Sequence, residues 1–272
     1  MTSRVALFLG LIVSILALQP QYGFAQDDAA DALKQAVAAS TRSPEDAARD
    51  QYRHPVETLT FFGLKPDMTV VEIWPGGGWY TDILAPYLRD HGKLYAAISK
   101  GENAAEYKKK LADAPARFDK VIVTQLDPPD KMQIAPAGSA DMVVTFRNVH
   151  NWMRGGNGEA VFKAIYTALK PGGILGVEEH RADPAKPQDP KAASGYMRED
   201  YVIKLAEEAG FILAGKSDIN ANPKDTRDYA KGVWTLPPTL RMGEVDKAKY
   251  LAIGESDRMT LKFIKPMKTA GR

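Results

Sequence analysis

The chain has no cysteine among its 272 residues. That single absence excludes disulfides, thiolate zinc sites, thioether-linked haem, a lipoprotein anchor and every cysteine nucleophile. An excess of one charge is missing too, since 36 Lys+Arg face 34 Asp+Glu for a formal +2. A near-neutral total gives no general pull toward a phosphate backbone, so no nucleic-acid partner is expected. The basic finish Lys262, Lys265 and Lys268 is too sparse to alter that. Beyond the first twenty residues there is no long apolar run, internal repeat, low-complexity tract or linker. A chain of this size buries about 70–75% of its unfolded surface without staples. One domain is therefore expected over residues 26–272, with a helical lead-in over about residues 26–65.

The apolar run that is present follows Arg4 and extends from Val5 to Leu18. It falls short of the roughly 20 residues a helix needs to cross the hydrocarbon core. Gly23 and Ala25 place small residues at the two positions a signal peptidase reads. Residues 1–25 are expected to be a cleavable signal peptide, giving a periplasmic or secreted protein with no membrane attachment once the signal is removed. On that reading the missing cysteines mean only that export asks for no oxidative folding.

The lead-in contains an Ala-rich stretch over residues 28–40. It is followed by Ser43-Pro44-Glu45, an N-cap, a proline at the first helical position and an acid in the first turn. From Thr69 onward, apolar runs alternate with amphipathic stretches, the pattern of a parallel sheet with crossover helices. The spacing predicts strands over residues 69–74, 93–98, 120–124, 141–146, 174–179, 211–216 and 259–264. Helices are predicted near 80–89, 103–112, 158–169 and 198–209. The proline-containing stretch 220–253 reads as a long excursion between the last two strands.

Directly after the first predicted strand comes Glu72-Ile73-Trp74-Pro75-Gly76-Gly77-Gly78-Trp79-Tyr80-Thr81. Consecutive glycines allow positive φ, remove Cβ atoms from a ligand's approach and aim free N–H groups from a helix start. At the carboxyl edge of an open sheet such a turn binds a ligand, or it is only a tight strand-to-helix connection. The dinucleotide pattern G-x-G-x-x-G fits poorly, because Thr81 occupies the third glycine position and Ala97-Ile98-Ser99 offers no acid for a ribose.

Glu72 with Gly76 and Gly78 resembles motif I of the class I S-adenosylmethionine-dependent methyltransferases. The resemblance continues in Gln125-Leu126-Asp127, in Ser139 to Val144, and in the run Leu169 to Leu175. More narrowly, the strings EIWPGGGWYT, TFRNVHNW and ESDRMTLKFIKP are similar to a group of exported bacterial predicted methyltransferases. The resemblance implies a Rossmann-like α/β fold, with a seven-stranded, mostly parallel sheet, an antiparallel last strand beside the fifth, and helices on both faces. It implies S-adenosylmethionine as cofactor, held by Glu72, Trp74, Gly76, Gly77 and Gly78, with Asp127 toward the adenine amino group. Two positions differ from the family pattern: Trp74 replaces the first glycine, and Ser99 stands where the ribose-binding carboxylate ends the second strand. Glu102 is the nearest substitute for that carboxylate.

Two polar clusters follow predicted strands, Arg147 to Trp152 and Glu178 to Arg181. Methyl transfer needs alignment, plus a base where an O–H or N–H must lose its proton. His150 suits the base and Asn148 could orient the nucleophile, although a lone histidine after a strand is often only a hydrogen-bonded structural residue. His150, Glu179 and His180 have the chemistry of a divalent-metal set but no ligand-spacing signature. Glu178 and Glu179 should point to opposite faces of their strand. Arg49, Tyr52, Arg53 and His54 form either a lid over the cleft or, more simply, a solvated helix face. Of Trp79 and Tyr80, one is expected on the sheet and the other toward the pocket, with Trp234, Pro237 and Pro238 as a far wall. The expected activity is methylation of a small molecule. The alternatives are a pseudoenzyme or binding protein for another ligand, and a metal-assisted enzyme at the His/Glu edge. Oligomeric state is not legible in the sequence.

Overall fold

The computed structural model describes residues 26–267, and the signal-peptide expectation for residues 1–25 lies outside them. Four helices lead in: α1 (Gln26–Val37), α2 (Pro44–Ala47), α3 (Asp50–Arg53) and α4 (Pro55–Phe62). The Ser43 side chain accepts the Asp46 backbone N–H at 3.1 Å, the cap expected from Ser43-Pro44-Glu45. There follow β1 (Thr69–Ile73), α5 (Thr81–Leu88), β2 (Lys93–Ile98), α6 (Glu102–Asp113), α7 (Pro115–Phe118), β3 (Val121–Gln125), β4 (Ala140–Phe146), α8 (Val149–Arg154) and α9 (Gly158–Ala168). The chain ends with β5 (Leu169–His180), α10 (Glu199–Glu208), β6 (Ile212–Ser217), α11 (Lys247–Ile253) and β7 (Arg258–Ile264).

The seven strands form one sheet in the order β3-β2-β1-β4-β5-β7-β6, with β7 antiparallel to both neighbours and β1 to β5 parallel. The order reverses between β1 and β4, and this opens a crevice beyond their carboxyl ends. Strand alternation sorts the core. Val70, Met142, Val144 and Phe146 pack with Leu59, Phe62, Ile83 and Leu84 of α4 and α5, whereas Val71, Ile73, Val143, Leu175 and Val177 pack with Trp152, Val161, Phe162 and Ile165 of α8 and α9.

Two local readings of the sequence change. β5 begins at Leu169, not Ile174: Leu169 pairs with Ala140 and Ile174 with Met142, so the Lys170–Gly173 turn becomes an irregularity within the strand. Gly172, at φ 79°, supplies the conformation this requires. β1 stops at Ile73 because Trp74 takes φ 47°, a left-handed backbone unusual for a bulky residue.

The α4 helix sets the height of the lead-in above the sheet through one close approach. A Cβ on Gly176 of β5 would lie 2.6 Å from Cδ2 of the fully buried Phe62 ring. Gly176→Ala should therefore destabilise the protein by about 1–3 kcal/mol through overpacking, read by urea unfolding. An unchanged midpoint would show that α4 can lift off at no cost.

Candidate functional site: two cavities at the switch point

The glycine turn occupies the crevice. Gly76 and Gly78 have φ 57° and 81°. A Cβ at Gly76 or Gly77 would meet nothing within 4 Å, so both face open space. Gly78 differs, since a Cβ there would lie 3.2 Å from both Tyr107 and Lys110 of α6. Lys110 Nζ donates to the carbonyls of Gly77 (2.9 Å) and Gly78 (3.2 Å) and to Asp82 (2.6 Å). Asp82 also accepts from Arg117 at 2.7 Å, so α6 and α7 clamp the outer side of the turn.

Glu72 lies behind the turn rather than on the cavities. Its carboxylate accepts the Thr81 hydroxyl at 2.6 Å, and that hydroxyl contacts the Tyr107 hydroxyl at 3.1 Å. Burial pushes the Glu72 carboxyl up to about 7, against the opposing pull of Thr81 and Lys110. On the β4 side, Asn148 Nδ2 donates to the Ile73 carbonyl at 2.9 Å and Thr145 Oγ1 at 3.2 Å, stitching β4 to β1 across the reversal. Trp74 and Arg147, the residues after β1 and β4, both have left-handed φ (47° and 61°), so both flanking strands break sharply here.

Two cavities open at this edge. One, of about 340 Å³, is lined by the turn (Trp74, Pro75, Gly76), by Ile98 and Ser99 after β2, and by Asn103, Ala104 and Tyr107 of α6. The other, of about 410 Å³, lies between β4, β5 and the lead-in, with Trp234, Pro237 and Pro238 as its far wall. Trp74, Pro75, Gly76, Asn148 and Asn151 line both, forming a shared partition.

The residues singled out from the sequence fall into three groups. Trp74, Gly76, Gly77, Asn148 and His150 line the cavities. Glu72 and Gly78 support the turn from behind. Glu102 is exposed at the start of α6 and Asp127 pairs with Lys100 at 3.2 Å; neither lines these two cavities. Asn103, one residue beyond Glu102, reaches the smaller cavity instead, a difference of helical phase that a run of helix formers does not reveal. The Trp74 indole donates to the Leu126 carbonyl at 2.9 Å, lying over the ends of β2 and β3.

Glu178 and Glu179 are both fully buried and face opposite ways. Glu179 accepts from His150 Nδ1 at 2.9 Å and from the backbone N–H groups of His150 (3.2 Å) and His180 (2.8 Å). With Nδ1 engaged by Glu179, Nε2 is the ring nitrogen of His150 left available on the cavity side. His180 bonds Ser256 through Nδ1, and its ring centroid lies 5.4 Å from that of His150. Burial, reinforced by the positive field of Arg147, Arg258 and Arg53, holds His180 well below its ordinary range, so it is neutral at neutral pH. Ligand atoms of His150, Glu179 and His180 all come within 4.8 Å of one another. The arginine field at His180 and the three hydrogen bonds already made by Glu179 both oppose a divalent cation there.

Glu178 faces the arginines. It accepts from Arg147 (2.9 Å), Arg258 (3.0 Å) and Tyr80 (3.1 Å). Glu255 accepts from Arg49 (2.7 Å), Arg53 (3.2 Å) and Arg258 (3.1 Å). Burial alone would raise Glu255, but Arg258, Arg53 and Arg49 hold it down at about 2. The solvated face expected for Arg49 and Arg53 is thus corrected, since Glu255 draws both onto the cavity wall, with Arg53 only 3% exposed. Tyr80 stacks on Phe146 at 3.4 Å, while Trp79 lines the larger cavity beneath the Arg53 guanidinium at 4.6 Å.

With this geometry in hand, comparison with known proteins is informative about fold. No family model matches the chain, and no curated protein matches its sequence. Among solved structures it is similar to a S-adenosylmethionine-dependent methyltransferase from Aquifex aeolicus, at 17% identity and TM-score 0.55, covering 87% of this chain and 98% of that one. It is similar to the cyclase SpnF at 15% identity and TM-score 0.54, covering 86% and 92%. It is also similar to an arsenic(III) S-adenosylmethionine methyltransferase from Chlamydomonas reinhardtii, at 14% identity and TM-score 0.51, covering 89% and 75%. The chain has the fold of the S-adenosylmethionine-dependent methyltransferases. The inclusion of a cyclase among these structures means that the fold leaves the reaction to be argued from the site.

The buried Glu72 gives a pH signature. Its carboxyl is raised from about 4.5 to about 7, so its unfolded form ionises first as pH rises. Stability from this group is fully present below about pH 4.5 and is lost as pH rises through 7. Glu72→Gln should raise stability at pH 8 by about 1–3 kcal/mol and change little at pH 4, measured by denaturant titration at both pH values. Equal effects at both would show that Glu72 is ionised in the fold.

Proposed function

We propose that the protein transfers a methyl group from S-adenosylmethionine to a small-molecule acceptor. The observation that carries this reading is the pair of cavities on either side of one partition at the switch point, since group transfer needs donor and acceptor held face to face. The volumes fall within the roughly 300–1,000 Å³ of small-molecule sites. Gly76, on the wall of the smaller cavity, leaves open the space a cofactor would take, so that cavity fits the donor. S-adenosylmethionine, when bound, supplies an electrophilic methyl group on a sulfonium.

The chain's own residues do the rest. Trp74, Gly76, Gly77 and Gly78 form the donor-side turn, with Ser99 and Asn103 opposite it and Glu72 supporting it from behind. Asp127 and Glu102, which the resemblance brings to the cofactor, line neither cavity and take no part in this reading. Asn148 holds the partition in place through the Ile73 carbonyl, and its donors are already committed, which makes it a positioning residue. His150, oriented by Glu179, presents Nε2 to receive a proton from the acceptor. His180 is neutral and stands beside it. The two histidines, Trp234 and the prolines wall the acceptor side.

Calorimetry with S-adenosylmethionine and S-adenosylhomocysteine tests the reading. Both should bind the wild type, and Gly76→Val should weaken binding at least about 10²-fold, because a branched side chain fills the open approach and resists positive φ. Absence of binding by the folded wild type at millimolar ligand would overturn it. Binding to the wild type with no loss in the variant would instead place the ligand away from the turn.

A further inference from the structure

The arginine network beside the acceptor cavity has more donors than its carboxylates can satisfy. Four guanidinium groups, Arg49, Arg53, Arg147 and Arg258, surround two carboxylates, Glu178 and Glu255. Arg49 Nη2 and Arg258 Nε are buried with no acceptor among the described residues. Asp46 stands on the same cavity and offsets one charge, while Glu179 is turned away to His150. Arg49, Arg53 and Arg147 all line the cavity, and Arg53 is the most buried of the three. It is 3% exposed, lines the cavity, and bonds Glu255 through Nε alone. Among the described residues its two terminal nitrogens have no hydrogen-bond partner, and they are not among the sealed, unpaired atoms. Burial, with Arg147 next in weight, lowers this guanidinium to about 9. A cation held out of water in a positive field is stabilised by an arriving anion, and a guanidinium edge matches a two-oxygen anion bidentately.

We propose that the acceptor cavity takes a small molecule carrying an oxyanion, a carboxylate or phosphate ester, bound on the free edge of Arg53 with the group to be methylated toward His150 and His180. That the bound molecule is a methyl acceptor rests on the methyl-transfer reading, but the oxyanion site stands on its own geometry. Glu255 is the built-in competitor, since it already holds three of the four guanidinium groups. The site is therefore sensitive to that carboxylate as well as to Arg53.

The experiment titrates the wild-type protein with benzoate, phenyl phosphate and the neutral benzamide. At least one anion should bind about tenfold or more tighter than benzamide, and which anion wins identifies the group. Arg53→Gln should erase that preference while leaving S-adenosylhomocysteine binding within about twofold. Glu255→Gln, by releasing Arg49 and Arg53, should tighten anion binding about tenfold. It carries the test if Arg53→Gln fails to fold, with folding of each variant checked by near-ultraviolet dichroism. Equal affinity for anions and benzamide in the wild type, or unchanged anion affinity in folded Glu255→Gln, overturns the proposal. Anion binding together with no S-adenosylhomocysteine binding would support the oxyanion site while removing the methyl-transfer reading.

Discussion

The Arg258 guanidinium is the contact on which the acceptor side of this molecule depends. It projects from β7, the antiparallel strand, and is 1% exposed. It donates to Glu178 of β5, to Glu255 before β7, and to the Tyr52 carbonyl of α3. One side chain thus ties the last strand, the fifth strand and the lead-in helices together. A buried charge with several partners is costly to break, about 3–5 kcal/mol when one partner is removed, because the others are left uncompensated. The same arrangement that closes the fold therefore holds the cavity wall in place, and it does so with an excess of guanidinium.

The donor side depends on a different constraint, the reversal of strand order between β1 and β4. Two left-handed residues, Trp74 and Arg147, end the flanking strands, and Asn148 bridges the gap to the Ile73 carbonyl. The glycine turn is then fixed from outside by Lys110 and from beneath by Glu72 and Thr81. Backbone conformation disfavoured elsewhere is retained here because hydrogen bonds on both sides determine it. What remains free is the inner surface of Gly76 and Gly77, together with a partition shared by two cavities.

Much of this was legible in the sequence and some was not. Apolar runs and crossover patterning located the seven strands, since the central strands β1, β4 and β5 bury apolar side chains on both faces, while the edge strands β3 and β6 stay partly exposed and were legible from spacing and turns. The glycine turn was visible because glycine is the residue for its backbone geometry. The function of Arg49 and Arg53 was not, because the carboxylate that buries them, Glu255, lies some 200 residues away and pairs only through the fold. Asn103 was missed in favour of Glu102, because one residue of helical phase decides which side chain meets the cavity. The dual character of His150 was also hidden: it is buried and hydrogen-bonded, as a structural histidine is, and it lines the acceptor cavity as a base would. Its partner Glu179 is what joins the two roles.

The most direct test is a crystal structure of the protein with S-adenosylhomocysteine bound. The account predicts the adenosine and amino-acid portions against Gly76, Ser99 and Asn103, with the sulfur at the partition formed by Trp74, Asn148 and Asn151, open toward His150. A ligand seated in the larger cavity on the arginines, or one found outside the glycine turn altogether, would contradict it.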